Sequence, residues 1–216
     1  MIGYHMSTPL LSRKEREKRA HQQDILSAAR ELFLLKGYHE TTLEEIARHA
    51  EFGKGTIYNY FSSKEELFHA IRDQLIGELE ALAHTAIAEC QGDCRQMLHS
   101  YARQVIRHAR DNSDLISLVM HKVHQLKPEE CSLQMNQFAA VMQKIWKIIV
   151  QPLQAAQADR NIKPFDPMAL AILFDGMIRI YCFNRFGPQR AFDEQEIDEA
   201  AEMIVSIFFD GINHHK

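Results

Sequence analysis

Residues 41–68 read TTLEEIARHAEFGKGTIYNYFSSKEELF. Leu43, Ile46, Ala47 and Ala50 recur at intervals of three and four, which is the spacing of one helix face. They predict a short helix from Thr42 to Ala50. A second helix follows, too short to be stable alone, with Lys54, Thr56, Tyr58, Asn59 and Tyr60 on a polar and aromatic face. A third begins after Ser62–Ser63. Two short helices across a tight turn are the layout of a helix-turn-helix, whose second helix enters the major groove of DNA.

The flanking sequence supports that layout. Ile25, Ala28, Ala29, Leu32 and Phe33 form one apolar helix face. Gly37 then ends that helix, since glycine tolerates positive φ. Thr41 with Glu44, or Thr42 with Glu45, offers a capping box for the next helix, and Ser62 with Glu65, or Ser63 with Glu66, offers one for the third. The expected lengths are about 17, 9 and 8 residues.

These residues carry a family resemblance. The run Ile25, Ala28, Ala29, Leu32, Phe33, Gly37, Tyr38, Thr42, Ile46, Ala47, then Lys54-Gly55-Thr56-Ile57-Tyr58-x-Tyr60-Phe61 and Lys64-Glu65-x-Leu67, resembles the TetR family of bacterial repressors (AcrR-like). The likeness covers residues 20–68. One departure stands out: the family usually has Gly in the turn, where this chain has Glu51, with Gly53 two residues later. Either Glu51 bears a strain of roughly 1 kcal/mol or the turn shifts toward Gly53.

The chain has 216 residues, 46% of them hydrophobic, with six Pro and nine Gly. That suits an all-α fold with a substantial core. Expected are a leader over 1–12 (Met1–His5 outside the fold), a helix-turn-helix domain over 13–65, and a helical effector and dimerisation domain over 66–216, about nine helices in all. The net charge of −4 does not itself suggest nucleic-acid binding. However, Arg13, Lys14, Arg16, Lys18 and Arg19 crowd an N-terminal arm, and a local field suffices for phosphate contact. The bland reading of the arm is a solvated tail. No secretory signal is evident. The longest apolar run, Met168–Phe174, stops at Asp175. A soluble, cytoplasmic, nucleoid-associated protein is expected, without a membrane partner.

Farther along, Phe68, Ile71, Leu75, Leu79, Leu82 and Ala86 predict one long helix from Ser63 to Glu89. Helices follow over 95–110, 115–126 and 129–158, the last with Pro152 inside, so a kink or break is expected there. Lys127-Pro128 is read as a stop and 161–165 as a loop. Asp166-Pro167 reads as an N-cap with Pro at the first helical position. That helix is expected to end at Gly187-Pro188, and the final one to open at Asp193 with Glu196. Leu170, Leu173, Phe174, Met177, Ile180 and Tyr181 stripe one; Ile197, Ala201, Ile204, Ile207 and Phe208 stripe the other. Such faces either fill the monomer core or pair with a second copy as a four-helix bundle. The TetR resemblance implies the homodimer.

Ile57 and Phe61 are four apart and face the core, which leaves the rest of the second helix for DNA. The resemblance implies base or phosphate contacts from Lys54, Gly55, Thr56, Tyr58 and Tyr60. Asn59 suits adenine, Lys64 a phosphate, and Thr42 either a phosphate or a purely capping role. Tyr58 has packing as its bland alternative. The resemblance also implies an unknown small-molecule effector in the second domain. Tyr101, Met120, His121, Met135, Phe138, Met142, Trp146, Phe174, Met177 and Tyr181 are the large or polarisable candidates, with simple core packing as the alternative. They point to a hydrophobic or amphipathic effector.

Two other classes are weighed. A metal or redox sensor would use His121/His124 with Cys131 nearby, or Cys90/Cys94; scattered structural histidines and free thiols explain the same residues, and no metal or cofactor is assigned. An enzyme would need a phosphate loop, G-x-S-x-G or H-E-x-x-H, and none occurs. A DNA-binding factor without an effector is the remaining alternative.

Overall fold

Every long apolar periodicity in the chain becomes a helix. The computed structural model describes residues 12–90, 92–124, 128–159, 162–185 and 193–212. Among these residues there are nine helices. They are α1 (Arg13–Lys36), α2 (Leu43–His49), α3 (Lys54–Tyr58), α4 (Lys64–Glu89), α5 (Cys94–Asp111), α6 (Ser113–His124), α7 (Pro128–Ala158), α8 (Pro167–Arg185) and α9 (Glu194–Ile212). They form two compact units, with the division between Ile71 and Arg72, inside α4. The leader residues 1–11, Lys127, Asn161 and the Gly187-Pro188 stop lie outside the described residues, as do the side chains of His124, Cys131 and Met135.

Helix boundaries follow the capping chemistry. Ser12 accepts from the Glu15 N–H while the Glu15 carboxylate accepts from the Ser12 N–H, a complete capping box. That box makes α1 longer than expected: Arg13 to Arg19 are two helical turns, all exposed, and not an arm. The pair Arg13–Glu17 at 2.8 Å bridges one of those turns. α2 takes the Thr42/Glu45 box. For α4, Ser63 Oγ accepts from Glu66 N–H at 3.1 Å, while the Glu66 carboxylate turns to Ser62 N–H at 2.7 Å. Asp166 accepts from the N–H groups of Met168 and Ala169, both at 3.2 Å, ahead of Pro167. Asp193 and Glu196 form the expected box before α9. The loop expected over 111–114 is shorter, because only Asn112 separates α5 from α6.

Two further departures are local. α7 continues through Pro152 without a break. Pro152 cannot donate to the Ile148 carbonyl, yet Ile148, Ile149 and Leu153 are all buried around it, and that packing holds the segment helical. At the turn after α2, Glu51 has φ +61°, the one positive φ on a non-glycine among the described residues. Gly53 has φ −67° and caps α3, so the strain stays on Glu51.

The first unit packs α1 on α2 and α2 on α3. Ile25, Ala29, Phe33, Ile46, Ala47, Ile57, Phe61, Leu67 and Phe68 are its buried centre. Each large side chain there contributes roughly 1.5–3 kcal/mol by leaving water. In the second unit α5 packs on α7, α8 and α9, and α7 packs on α8. Leu98, Tyr101 and Ile106 meet Ile145 and Ile149, Phe174 and Ile178, and Ile197 and Val205. α8 is long and apolar enough to cross a membrane by length and composition, but one face of it belongs to this core.

That core contains one charged centre. Asp175, buried on α8, accepts from Tyr101 Oη at 2.8 Å, from Trp146 Nε1 at 3.0 Å, and from Arg179 Nε at 2.7 Å and Nη2 at 3.1 Å. One carboxylate therefore ties α5, α7 and α8 together. Burial, with the Asp175 charge beside it, pushes the Tyr101 phenol well above its usual range, so it stays a donor.

Asp175→Ala would strand the guanidinium, phenol and indole donors. It should lower unfolding free energy by about 3–5 kcal/mol, measurable by denaturant titration. At the turn, Glu51→Gly should match or exceed wild-type stability, whereas Glu51→Val should lose roughly 1–2 kcal/mol, because a β-branched residue resists positive φ.

Candidate nucleic-acid interface

The loop between α1 and α2 is fixed before the recognition surface is built. Gly37 leaves α1 at φ +85°. Buried Thr41 donates its hydroxyl to the Gly37 carbonyl at 2.8 Å and shares it with Leu32 at 3.3 Å. The ammonium of Lys64 then donates to the carbonyls of Tyr38, His39 and Thr41 at 2.7, 3.0 and 2.7 Å. It also lies 4.5 Å from the centre of the Tyr38 ring. Burial holds its pKa below the ordinary lysine value. Sequence reasoning assigned Lys64 to a phosphate; the structure uses all three of its donors inside the protein, as a clamp on this loop.

Thr42 follows directly as the exposed N-cap of α2. Its N–H and hydroxyl donate to Glu45 Oε2 at 3.1 and 3.2 Å. Glu45 in turn meets Lys36 at 2.6 Å, which holds its carboxyl down at about 2. The capping role of Thr42 is thus realised in this structure.

α3 is a helix of five residues. Ile57 is its buried anchor, and Phe61 follows it into the core. Beyond Tyr58 the turn persists through Tyr60 and Phe61 N–H groups bonded to the Ile57 carbonyl at 3.0 and 2.9 Å. Lys54, Gly55, Tyr58 and Asn59 are exposed, and Thr56 and Tyr60 half-buried. A Cβ built at Gly55 would meet nothing within 4 Å. The fold itself therefore leaves open space over that backbone. Lys54 Nζ sits 2.7 Å from Glu44 Oε1, and Tyr58 Oη donates to the same oxygen at 3.4 Å.

Sequence reasoning missed His21. It lies edge-on to Phe52 with ring centroids 5.0 Å apart, and its Nδ1 is 3.1 Å from Tyr60 Oη. The signal was present: His21 is four residues before Ile25, on the apolar face of α1. Glu44 was read only as a helix-start carboxylate, because its partner Lys54 lies on the next helix.

The effector candidates in the second unit fall into three environments. Tyr101, Met142 and Phe174 are buried in the core. Phe138, Trp146, Met177 and Tyr181 are half-buried against it, with Arg179 5.8 Å from the Phe138 ring centre. Met120 and His121 are exposed on α6. A separate open cleft of about 490 Å³ is lined by Leu82 and Glu89 of α4 with His99, Ser100, Arg103 and Arg107 of α5. It is polar and shares none of the candidates. The Cys94 thiol is pushed up to about 12 by burial, and Cys90 is raised for the same reason; neither is an activated nucleophile. Among the described residues no three His, Cys, Asp or Glu side chains gather as a metal set.

A two-helix reader with an exposed polar face, among described residues that otherwise form only helices and their connections, defines a helix-turn-helix DNA-binding protein. The family model for bacterial regulatory proteins of the TetR family matches residues 25–71. An uncharacterised helix-turn-helix transcriptional regulator of Bacillus subtilis, YhgD, is 29% identical over 165 residues, covering 73% of this chain and 78% of the relative. The regulator TtgR of Pseudomonas putida is 26% identical over 137 residues, 62% of this chain and 64% of its own. A TetR/AcrR-family regulator from Thermobifida fusca superposes with a TM-score of 0.68 at 23% identity, over 89% of this chain and 98% of that one. PfmR of Thermus thermophilus gives 0.65 at 19% identity, over 88% and 99%. Residues 25–71 thus match the TetR family of bacterial regulatory proteins, and the longer likenesses support a TetR-type transcriptional regulator.

Lys64 allows two roles to be separated. Lys64→Met should cost the first unit about 2–3 kcal/mol by leaving three carbonyls without a donor. The salt slope of DNA binding should stay unchanged. A stable variant whose slope falls by about 1 would make Lys64 a phosphate contact instead.

Proposed function

We propose that this regulator is a repressor that binds a palindromic operator as a homodimer and is released by a small hydrophobic or amphipathic effector. The observation that carries the DNA half is the α3 face. Lys54, Thr56, Tyr58 and Asn59 surround Gly55, over which the chain leaves open space. A glycine there lets backbone approach backbone, and Asn59 brings a donor and an acceptor suited to adenine. Tyr60, braced by His21, completes the surface. The exposed basic residues of the first two turns of α1 add phosphate attraction. The site of action is the bacterial cytoplasm.

The dimer half rests on the outer faces of α8 and α9. Leu173, Ile180 and Phe183 are 62, 65 and 70% exposed, at spacings of seven and three. Met203 and Ile207 on α9 are 46 and 59% exposed, four apart. Such a stripe suits a second copy. Phe174 and Ile204, which the sequence grouped with these residues, turn inward instead. A helix has one face for the core and another for a partner, and the apolar stripes are wide enough to serve both.

Effector release is the remaining element. An effector that binds one arrangement of the second unit more tightly shifts the population toward it. A shift from mostly bound to mostly released requires about 5 kcal/mol of differential affinity. The half-buried Phe138, Trp146, Met177 and Tyr181 would supply apolar contacts, and α4 runs from that unit into the DNA-binding one. A DNA-binding factor without an effector has one observation in its favour. Tyr101, Met142 and Phe174 are packed into the core and Asp175 is already saturated with donors.

Fluorescence anisotropy on DNA from upstream of the protein's own gene, beside a scrambled duplex, tests the reading. A preference of roughly a thousandfold with a steep salt dependence is expected. Ile180→Glu and Phe183→Glu should convert the dimer to monomer by light scattering and abolish that preference. Wild-type protein that is monomeric and equally weak on both duplexes would refute it.

A further inference from the structure

Glu44 sits in the first turn of α2 but takes no part in its capping box, which joins Thr42 and Glu45. Its carboxylate reaches across to α3 instead. Oε1 is 2.7 Å from Lys54 Nζ and accepts from Tyr58 Oη at 3.4 Å. One oxygen therefore holds a side chain from each end of the recognition helix. The neighbouring Glu45 does the same for Thr42, accepting from its N–H and hydroxyl. The groups proposed to meet DNA phosphates are thus engaged by carboxylates while DNA is absent.

Carboxylate and phosphate oxygens attract the same partners, namely ammonium, hydroxyl and backbone N–H. The Lys54 bond holds the Glu44 carboxyl below its usual range and raises the lysine, so both are charged at neutral pH. We propose that Glu44 is an internal competitor for phosphate: it occupies Lys54 and Tyr58 in the DNA-free protein and so limits affinity for duplex DNA of any sequence. The inference rests on the DNA-binding reading above. Transferring Lys54 to a phosphate exchanges one exposed ion pair for another, with little net gain. It also leaves the Glu44 charge facing the phosphate backbone, which adds repulsion. Contacts to base edges undergo no such exchange, so affinity must come from them to a larger degree.

The test is binding of the full chain to a random-sequence duplex at low salt, for wild type, Glu44→Gln, Lys54→Gln and the double variant. Glu44→Gln should bind roughly fivefold tighter, the factor for removing one exposed ion pair plus some repulsion. Lys54→Gln should bind more weakly. The gain from Glu44→Gln should shrink in the Lys54→Gln background to the smaller part due to repulsion, because the competition itself acts through Lys54. Because α2 keeps its cap, unchanged thermal melts should accompany these shifts, and Glu44→Ala should repeat them. An equal gain in both backgrounds would reduce Glu44 to bulk charge and overturn the proposal. Weakening by Lys54→Gln with no effect of Glu44→Gln would also overturn it, while leaving the DNA reading intact. No binding by any of the four proteins would remove both.

Discussion

The candidate recognition surface depends on one ammonium group. Lys64, at the start of α4, donates to three carbonyls of the loop between α1 and α2. A loop of this kind has backbone groups that no helix satisfies, and a compact cation with three donors can satisfy several at once. Thr41 closes the other side of the loop. Thr42 then emerges in the extended conformation that an N-cap requires, and the direction of α2 is set. α3 follows through a turn strained at Glu51 and braced by His21 on Phe52. A five-residue helix has no stability of its own. Its position is inherited from these contacts and from Ile57 in the core.

The second unit is organised by the opposite sign of charge. The Asp175 carboxylate collects donors from Tyr101, Trp146 and Arg179. Among apolar side chains that pack in many near-equivalent ways, such a centre fixes the register of α5, α7 and α8, since a slip leaves the buried Asp175 carboxylate and Tyr101 hydroxyl unpaired. Exposed ion pairs add to the seam of α5 with α9. Glu194 meets Arg107 and Arg110, and Glu202 meets Arg95. These are worth little individually. Their value lies in alignment, because Glu194, Asp198 and Glu202 are spaced by four along α9 and face a matching basic row on α5.

Carboxylates recur at the face proposed to meet DNA as well. Glu44 and Glu45 hold Lys54, Tyr58, Thr42 and Lys36. A surface built to meet phosphates is electrostatically unfavourable when bare, and adjacent acids relieve the repulsion among its cations. The same acids then oppose indiscriminate binding. Local stability and the proposed restraint in DNA binding thus share one arrangement of side chains.

Local chemistry determined a great deal here. The spacing of Ile25, Ala29, Leu32 and Phe33, the caps Asp166 and Asp193, and glycine at 37 are read directly from the chain, because helices obey short-range rules, whereas Thr41 against Thr42 and Ser62 against Ser63 were open until the structure chose. The family likeness, the helix order and the outward face of α3 followed from the same residues. Tertiary structure decided what those rules cannot reach. Lys64 looks like any exposed lysine until the loop carbonyls surround it. Phe174 and Leu173 are adjacent in sequence and equally apolar, yet one lies in the core and the other on the outer face of α8. Asp175 reads as an interruption in an apolar run and is in fact its best-satisfied residue. In each case the deciding partner lies on another helix, and side-chain spacing within one helix holds no information about which neighbour it will meet.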